Sequence, residues 1–251
     1  MSRLSGSVQP SPVDEALRAL HGWVWRDPYR RARKLLRFAL TEAGGGRDLS
    51  RAAELTRDPL LRRFYLRHSE DEHRHASLFH ARGLCILRSL PPAAAGFEAN
   101  WLAPGERGFD QVRVDRESDG ALLAFLHLSE KAAAQRFALY RQVLGHDPAT
   151  RDVFDDVLRD EAFHMTYTRT QLARVARGKS GAQLWKARLG RVWKAYLRLA
   201  AAFAGLLGAL FLRLQYFLVL PPFALLARRA ARREPRGFSA SRARVDFTSQ
   251  Y

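Results

Sequence analysis

The sequence predicts an all-α fold: a four-helix bundle with one long crossover, followed by a C-terminal apolar and basic helical tail. Three observations predict it. Leu, Ala, Arg and Glu dominate the region from Asp14 to Arg177, where β-branched alternation is nearly absent. Apolar residues recur at helical spacing, as in Leu60, Phe64 and Leu66 and again in Phe154, Val157 and Leu158. The pairs Asp27-Pro28, Asp58-Pro59 and Asp147-Pro148 each set an N-cap acid before a proline at the first helical position.

Residues 1–27 read as a flexible N-terminal arm, to about Ser11, and a short helix. The arm lacks the apolar run of a signal peptide. The spacing then predicts four long helices, roughly Pro28 to Thr56, Pro59 to Arg82, Asp119 to Leu144 and Pro148 to Arg177. Between the second and third lies Pro91 to Ser118, rich in Pro, Gly, Ala and charge. It is long for a bundle connection, and so reads as the crossover between two halves. Residues 28–177 form the bundle in this division, 178–233 a membrane-associating tail, and 234–251 a disordered basic end.

The halves resemble each other. TEAGGG (Thr41 to Gly46) aligns with SEKAAA (Ser129 to Ala134), and DEHRH (Asp71 to His75) aligns with DEAFH (Asp160 to His164). Asp58 follows Glu42 by 16 residues and Asp147 follows Glu130 by 17. Each half therefore reads as a Glu, about thirty residues, then Asp-Glu-x-x-His, and the repetition is much harder to obtain by chance than either motif alone.

Residues i and i+3 share a helix face, so Glu72 and His75 can reach one point, and so can Glu161 and His164. Glu42 and Glu130 add a carboxylate from each preceding helix. Four carboxylates buried together without cations would carry heavy desolvation and repulsion, and two divalent metals would neutralise them. Carboxylate with imidazole suits iron or manganese. The single cysteine, Cys85, leaves no intrachain disulfide or thiolate metal site, and reads as a small buried hydrophobe.

On these motifs the stretch from Pro28 to about Arg177 resembles the ferritin-like di-iron carboxylate superfamily. The resemblance implies a ferritin-like bundle holding two iron ions, with manganese the alternative. It implies that Glu72 and Glu161 bridge the metals, that Glu42 and His75 serve one, and that Glu130 and His164 serve the other. It also implies that Asp71 supports His164 and Asp160 supports His75 from the opposite helices. Simple surface acids are the competing account of both aspartates.

One departure concerns Gly44, Gly45 and Gly46, which would ordinarily end a helix and leave Glu42 at its tip. Either Glu54 then replaces Glu42, or the helix continues with a kink and the small residues leave room beside the carboxylate. His127 and His68 each lie one turn before a motif Glu. Either can support the site and a core or boundary role is the safer account of both; His127 is the one taken forward as a support. His73 and His80 fall off the ligand face and are expected to be solvated. Tyr65, Tyr140 and Tyr167 are read as packing residues ahead of redox ones.

The net charge of +17 is not spread evenly. Arg174 to Tyr251 holds 16 Lys+Arg against 2 Asp+Glu, and the preceding residues hold 26 against 23. Within the tail, Leu184 to Leu199 is basic, amphipathic and aromatic. Two apolar runs of about fourteen residues follow on either side of Arg213, with Pro221-Pro222 expected to break the second. Charge gathered around an apolar block argues for an anionic membrane surface and against nucleic acid. Basic flanks on both sides predict a hairpin or in-plane anchor on the cytoplasmic face of a membrane. The competing expectation is a fifth helix covering the bundle.

The resemblance implies an O2-activating di-iron oxidoreductase, monooxygenase-like, of the hydroxylase, desaturase or N-oxygenase kind. It would need an external electron donor and a lipid-like or other small organic substrate. The alternative is a ferroxidase or rubrerythrin-like peroxide-scavenging iron protein without an organic substrate.

Overall fold

A computed structural model describes residues 8–91 and 114–233. Most of the expected crossover, the start of the arm and the basic end at 234–251 lie outside the described residues. Among the described residues the chain is helical, with no strand. The helices are α1 (Pro12–Ala16), α2 (Arg18–Arg26), α3 (Pro28–Leu55), α4 (Pro59–Arg88), α5 (Asp119–Val143), α6 (Pro148–Val175), α7 (Ser180–Leu214) and α8 (Leu220–Arg233). A π-helical turn, Gln215–Val219, joins α7 to α8.

The Asp-Pro pairs act as helix starts. Asp27 accepts from the Arg30 N–H at 2.7 Å, Asp58 from Leu60 N–H at 2.9 Å, and Asp147 from Thr150 N–H at 3.1 Å. Each satisfies a donor that the first turn leaves free, while the proline has none to satisfy. Asp147 also binds Arg31 at 3.0 Å and Arg82 at 2.7 Å, tying the start of α6 to α3 and α4.

The long helices pair as α3 with α4 and α5 with α6, and α4 also packs on α6. Two apolar clusters fill the interior. One gathers Trp25, Leu35, Phe79, Phe137, Tyr140 and Phe154. The other gathers Leu49, Leu61, Tyr65, Leu123, Tyr167 and Leu172. On each of α3, α4, α5 and α6 a motif glutamate lies between a residue of one cluster and a residue of the other. Glu42 falls between Ala39 and Leu49, and Glu72 between Tyr65 and Phe79. Glu130 falls between Leu126 and Phe137, and Glu161 between Val157 and Tyr167. A polar layer is thereby sealed between two dry ones.

Helix α3 runs unbroken through Gly44, Gly45 and Gly46, so the glycines do not end it. At Gly46 the reason is close approach to α4, because a Cβ there would lie 2.5 Å from the His73 ring. The Ser69 hydroxyl donates to the Gly46 carbonyl at 2.7 Å across the same contact. Cys85, expected to be buried, is exposed on α4.

The tail also departs from expectation. Pro221-Pro222 does not break it, and no reversal forms a hairpin among the described residues. Residues 180–232 make one helical run. Prolines in the first turn of α8 lack donors for carbonyls one turn back, and the π-helical turn sits at that step. The start of α7 is fixed in the first of two compact units, which ends at Val192. There Leu184 and Ala187 pack on the second apolar cluster. Arg191 donates to the Leu128 carbonyl at 2.8 Å and to Ser129 Oγ at 2.5 Å. The second unit begins at Trp193. Its large apolar side chains, among them Phe203, Phe211, Phe217 and Phe223, are exposed. The helical run from Ser180 to Arg232 is long and apolar enough to cross a membrane, and its most apolar stretch is wholly unburied.

Candidate metal centre

Glu72, His75, Glu130, Glu161 and His164 are all buried, and they meet in the polar layer. The two motif histidines are strapped crosswise between α4 and α6. His75 Nε2 donates to Asp160 at 3.0 Å, and His164 Nε2 donates to Asp71 at 3.1 Å. Arg74 forms an ion pair with the same Asp160 carboxylate. Each strap fixes a ring and leaves its Nδ1 facing inward. Both Nδ1 atoms are buried without a hydrogen-bond partner, and so is Glu161 Oε2. Three orphaned buried atoms in one layer are a large cost unless something meets them.

The donors fall into two groups whose ligand atoms lie within 4.8 Å of one another. One comprises Glu42, Glu72 and His75, and the other comprises His68, Glu72, Glu130 and His164. Glu72 belongs to both. Its Oε1 lies 3.1 Å from His68 Nε2 and 3.9 Å from His164 Nδ1, and its Oε2 faces Gly45 on the helix that carries Glu42. Glu161 Oε2 lies 4.0 Å from His164 Nδ1. Two ligands of one metal at about 2.1 Å sit at most about 4.2 Å apart, so small adjustments would close either group.

Electrostatics point the same way. Burial pushes the Glu72 carboxyl up to about 8. Burial, then the neighbouring glutamates, holds Glu42 and Glu161 well above the usual carboxylate range. Burial drops His75 and His68 to about 3, so both rings are neutral at pH 7. The hydrogen bond from His164 holds Asp71 below its ordinary value. The layer therefore keeps protons on carboxyls that a divalent cation would displace, and holds imidazoles in the form that binds metal.

Other sequence candidates fall elsewhere. His127 is not brought to the cluster. Its Nδ1 donates to the Met165 carbonyl at 3.2 Å, and its ring lines a surface groove with Lys131, Gln135 and Arg169. Glu54 is an exposed partner of Arg51. His73 and His80 are exposed. Tyr65 lies 3.4 Å from Asp119, and Tyr140 packs in the first apolar cluster.

His68 is the residue that sequence reasoning undervalued. It is fully buried, its ring stacks on His164 at 3.7 Å between centroids, and its Nδ1 lies 2.6 Å from the Tyr167 hydroxyl. The signal was present in the register. His68, Glu72 and His75 follow an i, i+4, i+7 stripe and share one face.

Comparisons with protein-family models, with curated proteins and with solved structures found no match.

Proposed function

We propose that the helices from Pro28 to Val175 form a ferritin-like four-helix bundle that holds two metal ions, iron in preference to manganese. We propose further that the protein is an O2-activating oxidoreductase. The observation that carries the metal reading is the crossed pair of Asp–His straps, which leave two buried Nδ1 atoms aimed at four carboxylates. Glu42, Glu72 and His75 would hold one ion. Glu130, His164 and Glu72 would hold the other, with Glu161 shared. The bound pair would supply O2 reduction and oxidation of a C–H or N–H bond.

The chain's own part is positional. Asp71 and Asp160 orient the imidazoles and fix which nitrogen carries hydrogen. The apolar clusters on either side keep bulk water from the layer. The exposed apolar helix after Trp193, with basic residues before and after it, supports attachment to an anionic membrane. That favours a lipid-like or other small organic substrate there, with electrons from an external donor.

Metal analysis and oxygen consumption test this reading. Protein reconstituted with ferrous iron should hold two ions per chain and, once reduced, consume O2 in step with oxidation of an organic substrate. Glu72→Ala and Glu161→Ala should each lose most of the metal, and unchanged content in both would end the metal reading. Iron turnover with no organic substrate would favour the ferroxidase alternative. Removal of residues 193–251 should abolish co-sedimentation with anionic vesicles while leaving metal content intact.

A further inference from the structure

The internal repeat is broken at one buried position of the polar layer. Four residues before Glu72 stands His68, and four residues before Glu161 stands Val157. Both are fully buried. His68 brings Nε2 to 3.1 Å from Glu72 Oε1 and 3.5 Å from Glu130 Oε1, beside the orphaned His164 Nδ1. Val157 brings only methyl groups and packs in the apolar cluster with Phe79 and Phe137. One donor group thus offers two imidazoles and two carboxylates, while the other offers one imidazole and two carboxylates.

We propose that the two metal positions are chemically unequal, because His68 is a ligand to the His164 position alone and makes it the tighter of the two. This rests on the two-metal reading above. A fourth donor completes a coordination set that the His75 position must fill with water or substrate. Added imidazole also raises affinity for borderline divalent ions. The more open position is then the one beside Glu42 and His75, where Gly45 faces Glu72 Oε2.

Tyr167 is a positioning residue for this ligand. A metal-binding Nε2 carries no proton, so the His68 ring must hold its hydrogen on Nδ1 and donate it to the Tyr167 hydroxyl 2.6 Å away. Tyr167 is itself locked by stacking on Phe64, with ring centroids 5.0 Å apart and planes 2° from parallel. This resembles the support that Asp71 and Asp160 give the other two rings, with a phenol in place of a carboxylate.

The test is titration of metal-stripped full-length protein with cobalt(II), read by calorimetry and by the visible d–d spectrum. The wild type should bind in two steps separated by tenfold or more. His68→Val, which copies the other half of the repeat, should weaken the tighter step by about 100-fold or more and leave the weaker step in place. Tyr167→Phe should weaken the same step by about 10-fold and shift its spectrum without touching the other. His68→Gln, which keeps a polar side chain, guards against misfolding and should behave as His68→Val does. Equal weakening of both steps in the His68 variants, or wild-type titrations in all three, would overturn the proposal. A wild type that binds two cobalt ions, with His68→Val unchanged, would leave the metal reading standing and remove only the inequality. A wild type that binds no cobalt would remove both.

Discussion

The α3–α4 hairpin and the α5–α6 hairpin carry the same carboxylates and histidines at matching positions, yet they are built differently around them. The first has Gly46 and Gly83 where the second has Ala134 and Leu172. Both glycines mark close approach: a Cβ on Gly46 would meet the His73 ring, and one on Gly83 would lie 3.1 Å from the Ala32 carbonyl. The first hairpin also has His68 facing the layer where the second has Val157. The comparison teaches that a ligand frame and its surroundings are separable. In the two-metal reading the frame repeats because the donors have to converge, whereas the packing behind each donor is free to differ.

Removing the straps breaks the comparison most strongly. Asp71→Ala takes the acceptor from His164 of the second hairpin, and Asp160→Ala takes it from His75 of the first. Each should weaken metal binding by about 10- to 100-fold, on opposite members of the pair. Cobalt titration of the two variants should show different steps affected, and the same step in both would mean that the straps do not act on separate sites.

A second effect concerns pH. In the metal-free protein the Glu72 carboxyl, at about 8, sits above its unfolded value. Folding then retains a proton that the unfolded chain gives up above about 4.5. The resulting stability is present at low pH and is lost as pH rises through 8, and Glu42 and Glu161 act in the same direction. His75 and His68, lowered to about 3, do the opposite and cost stability as pH falls below about 6.5. Metal-free protein should therefore lose melting temperature between pH 6.5 and 8.5. Metal-loaded protein should hold or gain it, because binding releases those protons. Melting curves with and without metal check the sign, and parallel curves would mean that the metal does not displace them.

The smallest effects separate the two glycines. Gly83→Ala presses on backbone and on Leu36, and should cost about 1–3 kcal/mol. Gly46→Ala presses on an exposed ring that can swing away. It forfeits the His73 bond to the Ser69 carbonyl, worth about 1 kcal/mol. It gains about 1 kcal/mol of helix propensity. It should be neutral within about 1 kcal/mol in urea unfolding. A large loss at Gly46 would show that His73 is held more firmly than its exposure implies.

Much of this was legible in the sequence. Asp27, Asp58 and Asp147 announced three helix starts, because an acid before a proline satisfies the first turn without tertiary help. The doubled Glu and Asp-Glu-x-x-His named the residues that now share the buried layer, since i, i+3 spacing is a property of any helix. What lay beyond it was decided by neighbours from other helices. His68 could be read as an ordinary core histidine until Tyr167, Glu130 and His164 closed around it. The run Gly44 to Gly46 looked like a stop until the helix proved continuous, with His73 lying against Gly46 and Glu72 against Gly45. His127 looked like a support until its ring turned to the Met165 carbonyl. In the tail, composition named the apolar and basic blocks, but only the path of the backbone showed one continuous helix through Pro221 and Pro222. Local spacing and capping are written along the chain. Which atoms end up without a partner, and what surrounds them, is settled only when the helices meet.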